Sequence, residues 1–305
     1  MLTSYINEGS YGCVIKPGIK CKKNIKKNTV SKFFSDKKAW LYEINNNKII
    51  NKILKKEHIV QLIDYCPKNK KEKVLIQNCK LINTKKKYLY NIIYEYAGVD
   101  LRNHAIKKNI IFKDIFIKFG NILETVELLS HNNYIHSDIR LPNIIYGNNK
   151  LKLIDYGLMI NVKKINKLKK IKYPLYYFPP EFNDLNLNEL YLRIINLLKY
   201  NKIYKYEKKK KKRINIILNY LFNNLKQKKY NNTDNIKTID VYMIGIVMLE
   251  LIVILTTKNK LNLSDKEYSL VFNYIKKLIQ PNSNKRYNIK KAYSSYKKLV
   301  VSLKK

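Results

Sequence analysis

Acidic residues are few in this chain: 22 Asp and Glu face 62 Lys and Arg over 305 residues, a formal net charge of +40. That imbalance is far more than solubility needs and suits attraction to nucleic acid, an anionic membrane surface or acidic protein substrates. Glycine, proline and tryptophan are scarce, with eight, seven and one, while Lys, Asn, Ile and Tyr abound. A+T-rich codons favour those four, so the charge reads first as coding bias spread over a solvated surface, not as a selected patch. Only four cysteines occur, Cys13, Cys21, Cys66 and Cys79, with no C-x-x-C pair. The spacing suggests neither a zinc site nor a disulfide framework, and reduced, intracellular thiols are expected. No charged segment followed by an apolar run opens the chain, so no signal peptide is expected. The longest apolar run, Val241–Leu255, contains Gly245 and Glu250 and is shorter than the ~18 residues that argue for a membrane span, so it reads as a buried core helix.

What is present is enough for a sizeable core: 46% of residues are hydrophobic, and the length suits one large domain or two lobes. Short apolar runs and turns dominate the first third. Thr3–Ile6, Cys13–Ile15, Thr29–Phe34, Val74–Gln77 and Tyr88–Tyr94 read as strands, and Ala39–Leu54 carries apolar residues at helical spacing. After Ala97-Gly98 the pattern turns helical, beginning with Phe112–Leu129. Two strand-like runs, Asn143–Tyr146 and Leu151–Ile154, flank Gly147-Asn148-Asn149, which predicts a hairpin. The expected fold is α+β: a small β-rich lobe over 1–96 and a larger, mainly helical lobe over 97–305. Within 185–237, Leu190–Leu198 and Ile214–Leu225 read as helices joined by a mobile basic loop containing Lys208–Arg213. Such a run can be a nuclear localisation signal, but against this lysine background it reads as a solvated loop.

The chemistry concentrates in Tyr134–Asn143, Y-I-H-S-D-I-R-L-P-N, followed by Leu153-Ile154-Asp155-Tyr156-Gly157. An amide oxygen and a carboxylate at one end of a hairpin are hard ligands suited to Mg²⁺, and Asp138 could accept a proton. H-x-D-x-x-x-x-N followed by D-Y-G resembles the catalytic core of eukaryotic-type protein kinases. Other segments extend the likeness. Ile6-Asn7-Glu8-Gly9-Ser10-Tyr11-Gly12-Cys13-Val14 resembles the glycine-rich loop, with Asn7 in place of its first glycine, and Val30-Ser31-Lys32 resembles the lysine strand. Ile92–Gly98 is similar to the hinge, Pro179-Pro180-Glu181 to A-P-E, and Asp240–Gly245 to D-x-W-x-x-G. The wording is most similar to serine/threonine kinases of large DNA viruses.

The resemblance implies a bilobal kinase fold and transfer of the γ-phosphoryl group of Mg-ATP to a protein hydroxyl, with serine or threonine preferred. It implies roles residue by residue. Gly9, Gly12 and Val14 would cover the nucleotide; Lys32 would hold the α/β-phosphates and pair with Glu43, with Glu57 as fallback. Tyr94 would be the gatekeeper, and the backbones of Glu95 and Ala97 would bond adenine. Asp138 would be the base, Arg140 a γ-phosphate contact, and Asn143 and Asp155 the metal ligands; Arg286 would pair with Glu181. Ser137 stands where regulated kinases carry an arginine, and Asp155–Glu181 contains no Ser or Thr. Activity independent of Ser/Thr phosphorylation in that segment is therefore expected; Tyr173, Tyr176 and Tyr177 remain as modifiable hydroxyls. Arg140 and Pro174 lean towards tyrosine as substrate. The rivals are a tyrosine or dual-specificity kinase, a pseudokinase acting as a binding module, and a basic nucleic-acid-binding protein. The expected partner is a protein substrate with acidic flanks, drawn by Lys163, Lys164, Lys167, Lys169, Lys170 and Lys172. Non-specific nucleic-acid affinity, no membrane span, a monomeric state and an intracellular location in host cytoplasm or virion complete the expectation.

Overall fold

The computed structural model describes residues 4–9, 12–21, 28–68, 79, 89–107, 110–164, 177–180, 192, 194–196, 208–225, 236–258 and 260–304. They fall into two compact units: 1–98 with 154–157, and 99–153 with 158–305. The fold is the α+β kinase arrangement, a β-sheet region followed by a helical one.

The first unit is built on five antiparallel strands in the order β1-β2-β3-β5-β4: β1 Ser4–Gly9, β2 Gly12–Lys16, β3 Thr29–Phe34, β4 Leu62–Lys68 and β5 Leu89–Glu95. Alternation fixes the buried face of the central strands, so Cys13 and Ile15 on β2 meet Phe33 on β3 and Leu89 on β5 in one cluster. Helix α1, Lys37–Ile53, begins where Asp36 accepts hydrogen bonds from the backbone N–H groups of Lys38 and Ala39. Its Trp40 and Ile44 pack with Phe34 and Ile92, and Trp40 Nε1 donates to the Asn91 carbonyl at 3.1 Å.

The chain after α1 leads into strand β4 at Leu62, an element the sequence pattern does not mark. One expectation is corrected here. The cysteines are not reduced: Cys13 is joined to Cys79 and Cys21 to Cys66, with Cα–Cα separations of 6.1 and 5.7 Å, within the range a disulfide spans. Pairing across 66 and 45 residues is set by how the strands and loops return, which cysteine spacing does not encode. Titration with a thiol reagent in denaturant is expected to find no thiol before reduction and four afterwards. Predicted strand Val74–Gln77 lies outside the described residues.

In the second unit, β6 Val99–Asp100, β8 Ile144–Gly147 and β9 Lys150–Leu153 form a three-stranded sheet. Asn148 and Asn149, with φ of 48° and 59°, make the two-residue turn of the β8–β9 hairpin, the geometry that primed turns demand and Asn tolerates. Short β7, Tyr134–Ile135, pairs with β10, Ile160–Asn161. The helices are α2 Leu101–Lys107, α3 Phe112–His131, α4 Lys208–Leu225, α5 Ile239–Thr257, α6 Asp265–Leu278 and α7 Ile289–Lys304. Helix α5 is buried along its whole length. With the preceding turn it is long and apolar enough to cross a membrane by composition, yet all of that stretch is enclosed in protein. It is a core helix, longer than the apolar run alone predicts. A Cβ at Gly245 would come within 2.5 Å of Ile279 and 2.8 Å of Leu278. Gly245→Ala is therefore expected to cost about 1–3 kcal/mol by overpacking, readable as a lower urea midpoint at unchanged slope.

The basic run Lys208–Arg213 is not a loop: it forms the first turns of α4. Arg213 anchors it, donating to the Leu263 carbonyl at 2.6 Å and to Asp265 at 2.8 Å, while Ile214, Ile217 and Leu221 are buried at helical spacing. Of the predicted helix Leu190–Leu198, residues 192 and 194–196 are described and helical.

Candidate active site

In the first unit, antiparallel register sets the pieces. β1 and β2 close with Gly9 opposite Gly12, and Val14 on β2 lies opposite Lys32 on β3. Gly12 has a steric reason to be glycine: a Cβ there would run into the Phe33 carbonyl oxygen of β3. Ser10 and Tyr11 lie outside the described residues.

Lys32 Nζ is the centre of an ionic cluster. It reaches both oxygens of Glu43 at 2.9 and 2.7 Å and Asp155 Oδ1 at 3.0 Å. Glu43, not Glu57, is therefore the lysine's partner, and the short interval between them is spanned because α1 begins soon after β3. Burial works against the Lys32 ammonium, but Asp155 and Glu43 outweigh it and hold its pKa above the usual lysine value. Burial likewise pushes the Glu43 carboxyl up; Lys32 opposes this and Asp155 adds to it. Asp155 sits at φ 63°, a conformation that costs a non-glycine residue energy and persists where surrounding contacts hold it. Gly157 lies against the same cluster, where a Cβ would stand 3.3 Å from Asp155 Oδ1 and 3.8 Å from Glu43 Oε2.

At the proposed hinge, the Glu95 N–H donates to the Gln61 carbonyl at 3.0 Å. Ala97 follows β5 in extended chain before Gly98, whose φ is 132°. Tyr94, the predicted gatekeeper, directs its hydroxyl to Glu43 Oε1 at 2.8 Å.

In the second unit, the backbone N–H groups of His136 and Ser137 both donate to Asp240 on α5, at 2.7 and 2.9 Å. These bonds hold Ser137 at φ 58°. Ser137 Oγ donates to the Leu158 carbonyl, so the residue standing where arginine was looked for ties this loop to the chain after D-Y-G. Asp138, 5% exposed, accepts from Asn143 Nδ2 at 2.6 Å and from the Tyr177 hydroxyl at 2.5 Å, and Arg140 Nε lies 3.4 Å away. Asn143 Nδ2 also donates to the Asp138 carbonyl at 2.9 Å. Its two N–H bonds are thus spent, and the amide oxygen is left as its ligating atom. Arg140, predicted to contact phosphate, is turned to the carboxylate of Asp138.

Tyr177 was read only as a modifiable hydroxyl; its position on Asp138 was not anticipated. The Arg286–Glu181 pair lies outside the described residues, because Glu181 does; Arg286 bonds the Gln280 and Pro281 carbonyls and Thr238. Tyr173, Tyr176, Pro174 and the lysines from 167 to 172 are also outside.

By chemistry alone, the Asn143 amide oxygen and the Asp155 carboxylate are each hard donors of the kind a divalent cation takes. No cluster of three or more His, Cys, Asp or Glu occurs among the described residues to hold a metal unaided.

The protein kinase domain family matches residues 2–191, well over half of the chain. The chain belongs to the protein kinase family. Similar curated proteins include the membrane-associated tyrosine- and threonine-specific cdc2-inhibitory kinase wee-1.3 of Caenorhabditis briggsae, 42% identical over 78 residues, 25% of this chain and 11% of that one. The dual specificity protein kinase zakA of Dictyostelium discoideum is 28% identical over 166 residues, 50% of this chain and 18% of that one. Protein Ycf2 of Marchantia polymorpha is 28% identical over 194 residues, 50% of this chain and 9% of that one. The chain thus spans a fifth or less of the length of these relatives. Lys32 and Glu43, expected from the resemblance to pair, do so, and Asp138 is hydrogen-bonded to Asn143.

Proposed function

We propose that this chain is an ATP-dependent protein kinase that transfers a γ-phosphoryl group to protein hydroxyls, with serine or threonine preferred. The observation that carries this reading is the Lys32–Glu43–Asp155 cluster, assembled on a family-matched chain that also retains Asp138 and Asn143. A pseudokinase acting only as a binding module gives no reason to retain all of these groups.

Lys32 would take the α/β-phosphates, its ammonium kept protonated by the two carboxylates. Asn143 and Asp155 would hold a divalent cation, Mg²⁺ by the hardness of the donors, and that ion would neutralise charge developing on the transferred group. Asp138 would accept the hydroxyl proton of the substrate. Asn143 and Arg140 orient its carboxylate, and preorganisation of this kind is where phosphoryl transfer finds most of its catalysis. Asp240 holds the loop that carries the base. Ser137 and the absence of Ser and Thr from Asp155–Glu181 support activity independent of Ser/Thr phosphorylation there.

Tyrosine as a second acceptor is favoured by Arg140 and Pro174 and by the specificities for which two relatives are named. An acidic protein substrate fits the net charge of +40. Labelling mixed protein substrates with γ-labelled Mg-ATP, followed by phosphoamino-acid analysis, tests the reading. Label mainly in phosphoserine and phosphothreonine is expected; label confined to phosphotyrosine overturns the preference, and no label overturns the activity.

A further inference from the structure

Helix α1 turns Trp40, Glu43, Ile44, Asn46, Asn47 and Ile50 inward. Three of the six are polar, on a face where a packing helix normally carries apolar side chains. All three polar groups are committed. Asn47 Nδ2 donates to the Glu43 carbonyl at 2.9 Å and to Tyr94 Oη at 3.1 Å. A carbonyl can only accept, so the nitrogen of this amide faces these partners and both of its N–H bonds are used. Having accepted from Asn47, the Tyr94 hydroxyl gives its single proton to Glu43 Oε1. Donors therefore run in one direction, Asn47 to Tyr94 to Glu43, and the carboxylate receives Lys32 from the other side.

A second arm starts one residue earlier. Asn46 Nδ2 donates to the Tyr156 carbonyl at 2.7 Å, fixing the peptide just after Asp155, whose Oδ1 accepts from Lys32. Each anion facing Lys32 is thus anchored by a neighbouring amide on α1, and the arrangement lies within one compact unit.

We propose that Asn46, Asn47 and Tyr94 are positioning residues that set Glu43 and Asp155 around Lys32 from inside the folded chain. The inward placement of α1 is then intrinsic to this sequence and needs no modification of the 155–181 segment. The proposal rests on the reading of Lys32 and Asp155 as nucleotide-binding groups. Its rival is a purely structural role, in which the amides and hydroxyl fill a polar gap in the core.

The test uses Tyr94→Phe, which keeps the ring, and Asn47→Leu, which keeps the volume, alone and combined, together with Asn46→Leu. All are checked for folding by circular dichroism. Two readouts are taken: kcat/KM for ATP, and acylation of Lys32 by an amine reagent, followed by mass spectrometry without nucleotide. Losing the Tyr94 hydrogen bond to the Glu43 carboxylate predicts about a tenfold loss of kcat/KM in Tyr94→Phe, and losing bonds to neutral groups a loss of about two- to tenfold in Asn47→Leu and Asn46→Leu, with faster Lys32 acylation in all three. Because Tyr94 and Asn47 act through one hydroxyl, the double variant is expected to be no worse than the poorer single one.

Unchanged acylation in folded variants overturns the proposal whatever happens to activity, and so do additive losses in the double variant. If acylation rises as expected while the wild type neither binds nor turns over ATP, the positioning stands and the kinase reading fails.

Discussion

Replacing Lys32 with methionine is expected to be the most damaging single change in the first unit. Lys32 is the cation between two carboxylates, and the side chains of Lys32, Glu43 and Asp155 are 10%, 5% and 16% exposed. Its removal leaves two anions facing each other in a poorly solvated place. Breaking a buried ion pair from one side costs about 3–5 kcal/mol. The loss has a pH signature. Without the ammonium, the folded-state pKa of Glu43, already raised mainly by burial, rises further. The variant's stability is then retained at low pH and lost as pH rises through that folded value. Urea unfolding should show a smaller deficit at pH 5 than at pH 8; an equal deficit would mean that the two carboxylates do not interact. Phosphoryl transfer should fall by at least roughly 10²–10³-fold, the range for losing one preorganised charge contact.

Asp240→Ala is the second, and its effect reaches the catalytic loop from beneath. Two buried N–H groups, of His136 and Ser137, lose their acceptor. At about 1–3 kcal/mol each the cost is about 4 kcal/mol in all, and Ser137 loses what holds it at φ 58°. Thermal unfolding and kcat should fall together, while the affinity of the first unit for a nucleotide analogue is retained. The wild-type carboxyl also predicts a pH dependence. Burial pushes Asp240 from 3.8 up to about 6, against the opposing pull of the two N–H donors. A carboxyl that binds its proton more tightly in the folded chain stabilises fully below about pH 4, and that contribution is lost as pH rises to about 6. Between pH 4 and pH 7 the stability difference should shift towards the isosteric Asp240→Asn by about 2 kcal/mol. A shift towards the wild type would contradict burial as the dominant influence.

Much of this arrangement can be read from the sequence, and the parts that cannot share a physical cause. β3 has its predicted bounds because Thr29–Phe34 is a run of β-favouring residues. The 144–153 hairpin is legible because Asn148-Asn149 permits only a narrow set of turns. Glu43 was legible through the kinase resemblance, which asks for a helix glutamate to pair with the strand lysine. β4 escaped because it carries Asp64 and Pro67; it lies at the sheet edge, where proline is tolerated and alternation is weak. Ile214–Leu225 was legible as helix, but the basic start of α4, Lys208–Arg213, was not, because Arg213 is held by Leu263 and Asp265, about fifty residues away. The disulfides and Tyr177 on Asp138 are likewise long-range events without a local signature. Asn46 and Asn47 did leave one: two amides three and four residues beyond Glu43 occupy the same helical face, and polar residues there signal partners.

The central claim is the proposed phosphoryl transfer from ATP, and Asp155→Asn tests it most directly. The substitution leaves Lys32 paired with Glu43, one cation with one anion, so the fold should keep nearly all of its stability while losing the charge proposed to hold the metal. Transfer from γ-labelled Mg-ATP to mixed protein substrates is expected to be strong in the wild type and to drop by at least roughly 10²–10³-fold in Asp155→Asn, with unfolding midpoints nearly equal. Equal incorporation by the two proteins, or none by either, would contradict the account.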